Sequence, residues 1–122
     1  MLKIEGKQIN ITRGDTGTIK IKTKTSDGYY TFSPNDVIEF KVYNKKEYQK
    51  EPVIYKSITI QEETQEIEID LTSDDTRIGD IINKEKEYWY EVQLNGNITL
   101  IGYDDLGASI FMLLPEGSEI DE

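Results

Sequence analysis

The side chains best suited to chemistry are the ones this sequence lacks. None of its 122 residues is histidine or cysteine, which removes the commonest general base, the commonest transition-metal ligand and the thiol nucleophile together. What remains is 24 Asp and Glu against 14 Lys and Arg. Two carboxylates at a controlled separation suffice to cleave a glycosidic bond. Here the acids fall on the outward phase of alternating segments or in turns, where water solvates them. The expectation is no catalytic residue and no enzymatic activity.

The same acids are the only candidates for a metal. Asp74-Asp75 and Asp104-Asp105, with Asp27 and Asp36 in other turns, offer the oxygen ligands that calcium collects in sets of roughly six to eight. Their spacing matches no calcium loop, and Asp is favoured at caps and turns for backbone hydrogen bonding alone. No metal and no cofactor is expected. Arg13-Gly14-Asp15 spells the tripeptide read by adhesion receptors. A tight bend at Gly14 and a side-chain bond from Asp15 to nearby backbone explain it structurally.

Trp89 is the residue singled out for a partner. It lies in Tyr88-Trp89-Tyr90-Glu91-Val92-Gln93-Leu94, where Tyr88, Tyr90, Val92 and Leu94 share one face and Trp89 takes the other. If the first face holds the core, Trp89 is available as an interface anchor. If both faces are covered, it is core. Tyr43, Tyr48 and Tyr103 are its possible companions at an interface.

Alternation also identifies the elements that must carry these residues. Thr18 to Lys24 places Ile19 and Ile21 opposite three lysines, Val37 to Tyr43 places Ile38, Phe40 and Val42 opposite Glu39 and Lys41, and Glu66 to Leu71 places Ile67, Ile69 and Leu71 opposite acids. Each reads as a strand with one wet side. Val53 to Ile60 and Ala108 to Leu114 read as further strands, and Asn44 to Glu51 as an exposed connection. Asn95-Gly96 suits a two-residue hairpin turn in which both residues need positive φ. Thr72-Ser73-Asp74-Asp75-Thr76 supplies N-caps for one short helical turn near 73–82. Seven or eight short strands with turns between them predict an all-β chain, an antiparallel β-sandwich occupying residues 1–115, with an acidic, flexible tail over 116–122.

Charge and hydropathy narrow the setting. A net charge of -10 opposes binding to phosphate backbones and anionic lipid, so neither nucleic acid nor membrane is an expected partner. No apolar run approaches the roughly 20 residues a bilayer requires, and residues 1–7 lack the apolar centre of a signal peptide. Without cysteine, a reducing compartment suits the chain.

The order of motifs resembles small structural proteins of tailed phages and prophages of Gram-positive bacteria. The resemblance runs from Ile11-Thr12-Arg13-Gly14-Asp15-Thr16 through Tyr30 to Phe40, Glu51 to Lys56 and Ile69 to Thr76, and ends in Tyr88 to Leu94. Similar domains stand at the amino end of upper baseplate proteins, which implies an immunoglobulin-like sandwich and a part in a virion, with other virion proteins as partners. By resemblance, the expectation is a non-enzymatic accessory subunit of baseplate, tail or capsid, decoration included. It would be present in many copies, as a homo-oligomer in the particle, and would reside in the host cytoplasm during assembly. The alternative is a carbohydrate-binding sandwich module that stacks aromatics on sugars; a third reading is an acidic antagonist directed at the host.

Overall fold

The computed structural model describes residues 2–5, 7–44, 51–102 and 109–116. In chain order the elements are β1 (Leu2–Glu5), β2 (Gln8–Thr12), β3 (Gly17–Ile21), β4 (Lys24–Thr25), β5 (Gly28–Tyr29), β6 (Val37–Tyr43) and β7 (Ile54–Thr59). They continue with β8 (Ile67–Leu71), α1 (Ser73–Thr76), β9 (Lys86–Leu94), β10 (Ile98–Ile101) and β11 (Ile110–Leu114). The protein is all-β. Its main sheet runs β1-β2-β11-β9-β6-β7, with β10 on β9. A second sheet is the pair β3-β8, and β4-β5 is a small hairpin.

Period-2 patterning decides which residues meet. Ile38, Phe40 and Val42 of β6 lie in register with Leu94, Val92 and Tyr90 of β9, and Phe111 of β11 lies between Ile9 of β2 and Tyr88 of β9. All of these are 3% exposed or less. Ile19 and Ile21 of β3 with Ile67, Ile69 and Leu71 of β8 join the same buried cluster, so the two sheets contribute to one core. Phe40 sits at its middle, 5.7 Å from the Tyr90 ring and 6.4 Å from that of Phe111. Burying each such side chain contributes about 1.5–3 kcal/mol relative to leaving it in water.

Three expectations need correction. The pairing is not antiparallel throughout, because β11 runs parallel to β2. Alternation fixes which face a strand buries, but it carries no information on the direction of its neighbour. The helical turn ends at Thr76 rather than extending toward residue 82: Arg77 leaves the helical region (φ -87, ψ 50), and Gly79 takes φ +67. The hairpin at Asn95-Gly96 has the two positive φ values, 54° and 73°, yet Leu94 pairs with Ile98, so the loop holds three residues. The cause is β6: the Asn95 amide donates to Val37 O at 2.8 Å, and Asn95 Oδ1 accepts from Val37 N at 2.8 Å, which keeps Asn95 in line with β9.

Candidate interaction surfaces

The outward face of the main sheet carries Trp89. Because Tyr88, Tyr90, Val92 and Leu94 are buried, Trp89 stands on the opposite side, half-buried. It pairs across β11 with Ile110 and across β6 with Tyr43. Val53, 41% exposed, precedes inward Ile54 and continues the row. An apolar line of Ile110, Trp89 and Tyr43 therefore crosses three strands, β11, β9 and β6, with Val53 just before β7.

Beside that line the sheet is polar and cross-linked. The Tyr43 hydroxyl donates to Glu91 Oε1 at 3.2 Å, Lys41 Nζ donates to Gln93 Oε1 at 3.1 Å, and the Tyr55 hydroxyl donates to Glu39 Oε2 at 2.5 Å. The Glu39 carboxylate holds the Tyr55 phenol above its ordinary pKa. The structure thus brings Trp89 and Tyr43 together. Tyr43 is only 6% exposed, so a partner meeting this row contacts mainly Trp89 and its flanks. Tyr48 and Tyr103 lie outside the described residues.

A second surface is one that sequence reasoning missed. Where β1 and β2 approach β3, a groove of about 190 Å³ has a floor of Ile4, Ile9, Ile19, Ile21 and Ile101, with Tyr90 below and Lys7, Lys20 and Lys22 around it. Successive side chains of a strand point to opposite faces, so a groove lined by Ile19, Lys20, Ile21 and Lys22 alike must follow the edge of β3. Among the described residues no strand pairs with that edge, and β1 is likewise the last strand of its sheet. At Gly17 β1 lies close against β3, where an added Cβ would be 3.0 Å from Leu2 Cβ. In the groove lining the Tyr90 hydroxyl donates to Lys7 O, and Lys7 Nζ donates to Gly102 O at 3.2 Å. The available signal was the alternation of Lys20, Lys22 and Lys24 with Ile19 and Ile21 in and just after β3; what alternation does not reveal is which edge stays unpaired.

The motifs weighed for metal and adhesion are parts of the scaffold. Asp36 accepts the Ser33 amide at 2.9 Å and the Asn95 side chain at 3.1 Å, which hold its carboxyl below the usual range. Asp75 accepts the Thr72 amide at 2.7 Å in a reciprocal capping box with the Thr72 hydroxyl. Among the described residues no group of three or more Asp or Glu converges as a metal site would require; Asp104 and Asp105 lie outside them. Arg13 is 6% exposed and donates to the carbonyls of Ile78 and Gly79 at 3.4 and 3.1 Å. Its guanidinium is thus turned into the protein, away from an adhesion receptor. Glu116, expected at the start of a flexible tail, is half-buried and 3.4 Å from Arg77. The remainder of that tail, 117–122, lies outside the described residues.

Among the described residues no helix is long and apolar enough to cross a membrane. Comparison of the sequence with protein-family models, and of the chain with curated proteins and solved structures, returned no match.

Proposed function

We propose that this chain is a non-catalytic structural protein that works by docking onto other proteins. On the order of its motifs, its setting is a phage virion, as an accessory subunit of baseplate, tail or capsid. The observation that supports docking is the row Ile110–Trp89–Tyr43, flanked by Val53: apolar side chains cross three strands on the face turned away from the core. Interface anchors are enriched in tryptophan and tyrosine because one such ring covers much area with few rotors to freeze. A net charge of -10 fits the reading, since it makes free copies repel in the host cytoplasm until a specific site on the growing particle overrides the repulsion.

Purified particles from a phage encoding the chain, analysed for this polypeptide with and without Trp89→Ala, test the proposal. The expected result is a fixed copy number in the wild type, reduced at least tenfold in the variant while its melting temperature is unchanged. Particles lacking the polypeptide altogether would refute the virion setting. Glycan-array binding lost in Trp89→Ala would put a carbohydrate-binding module in its place.

A further inference from the structure

Among the described residues β3 pairs with β8 alone, and that partner shows what its other edge would accept. On the paired side, β8 presents Ile67, Ile69 and Leu71 inward and Glu68 and Asp70 outward. Lys20 stands opposite Glu68 and Ile19 opposite Ile69, and the Thr18 hydroxyl donates to Asp70 Oδ1 at 2.7 Å. Aliphatic residues thus meet aliphatic residues on the inner face of the pair, and acids meet lysine or threonine on the outer face. The unpaired side repeats the chemistry of β3 itself, because both edges of a strand share the same pleat. There the inner face continues into the groove floor at Ile4, Ile9 and Ile101, and the outer face offers Lys20 and Lys22, both exposed. Ile4 is 44% exposed, an aliphatic side chain left wet in the groove.

We propose that the free edge of β3 accepts an extended segment of a partner protein, added as a strand, in which aliphatic and acidic residues alternate as they do in β8. Backbone amides and carbonyls along the edge supply the pairing, as in other cases of strand addition. The isoleucine floor takes the aliphatic side chains, and the two lysines take the acids. In a chain of net charge -10 these lysines make the edge a local exception in sign, so an acidic segment is favoured there and repelled over most of the surface. Lysines on an edge also discourage neutral strands from pairing with it, which favours acidic partners, although Lys22 Nζ rests 5.2 Å from the Tyr29 ring centroid and must turn from it to meet an acid.

The inference rests on the reading of the chain as a protein-binding subunit but uses a different surface from the Trp89 row, so its failure leaves that reading standing. The test titrates a fluorescein-labelled synthetic peptide of the β8 sequence, residues 66–71, against the full chain and follows anisotropy. Hydrogen exchange of the bound sample reads the β3 amides. The expected result is saturable binding, weakened as salt rises, with slowed exchange over residues 17–22. Affinity should fall at least tenfold in the Lys20→Glu, Lys22→Glu double variant. The counterpart peptide with lysine at all three acidic positions should bind the double variant and not the wild type, and that rescue excludes misfolding as the cause. No saturable binding, binding indifferent to the double substitution, or protection located elsewhere overturns the proposal. In that event Trp89→Ala would still lower incorporation into particles.

Discussion

The hydroxyl of Thr76 accepts the amide hydrogen of Gly14 at 2.9 Å and donates its own hydrogen to Asp15 O at 2.8 Å. One side chain, with no measurable exposure, thus satisfies both backbone groups of the bend between β2 and β3 and ties that bend to the end of α1. Gly14 has φ +86, and a Cβ there would lie 2.9 Å from the guanidinium of Arg77 and from the carboxylate of Glu116, so the position suits glycine alone.

Thr76→Val keeps the shape and removes the hydroxyl. It leaves a donor and an acceptor unpaired, at a cost of about 1–3 kcal/mol for each such group. The expected loss is about 2–4 kcal/mol in urea unfolding, whereas Thr76→Ser retains the bonds and loses less than about 1.5 kcal/mol. Equal losses for the two variants would show that the methyl, not the hydroxyl, matters.

Asp75 links the cap of α1 to β7. Partial burial pushes its carboxyl pKa up, but Lys56 at 2.6 Å and the hydrogen bonds with Thr72 outweigh this and leave it below the ordinary value. A carboxyl whose pKa is depressed by folding adds stability that is fully present above the unfolded value of about 3.9 and is lost as pH falls through the lower folded value. Wild-type stability is therefore expected to drop as pH is lowered from about 5 into the acid range. Asp75→Ala, which also removes half of the capping box, costs about 1 kcal/mol at pH 7 and makes the decline shallower. Melting temperatures at pH 7, 5, 4 and 3 measure both effects; parallel curves for the two proteins would rule out this role.

The strands that hold the core were legible because their alternation is long enough to be unmistakable. Val37–Tyr43 coincides with β6, and Ile67–Leu71 falls within the stretch read as a strand. Tyr88 to Leu94 put Trp89 on the face opposite Tyr88, Tyr90, Val92 and Leu94, and the structure buries those four; whether the Trp89 face was covered too, alternation left open. Less legible was the amino-terminal hairpin β1-β2, whose apolar positions are only two per strand: Leu2 and Ile4, then Ile9 and Ile11. Its edge makes one wall of the lysine-rimmed groove, so that surface stayed hidden as well. Parallel pairing of β11 with β2 joins residues about a hundred positions apart, and no local pattern encodes it.

Phe40 tests whether the two sheets share one core. It is fully buried, touches Tyr90 and Phe111 across the main sheet, and belongs to the same cluster as Ile19 and Ile69 of the second sheet. Phe40→Ala should cost about 3–5 kcal/mol and speed amide exchange in β3 and β8 as well as in β6 and β9. A loss confined to the main sheet would mean that the two layers unfold separately.

The three-residue loop after β9 allows backbone conformation and side-chain bonding to be separated at one position. Asn95 has φ +54, a region that costs ordinary residues roughly 1–2 kcal/mol but is tolerated by asparagine and free for glycine. Its side chain also accepts from Val37 N and donates to Asp36 Oδ1. Asn95→Gly removes only the side-chain bonds, whereas Asn95→Ala removes the bonds and adds the conformational penalty, so the alanine variant should be the less stable by about 1–2 kcal/mol. In both variants Asp36 keeps the Ser33 amide, the larger cause of its lowered pKa, and loses Asn95, the smaller. Its carboxyl should therefore titrate higher than in the wild type yet still below the ordinary range. Carboxyl-carbon NMR titration reads this directly. An Asp36 pKa unchanged in both variants would show that the Asn95 bond does not persist in solution, and the stability difference between glycine and alanine would then report the backbone alone.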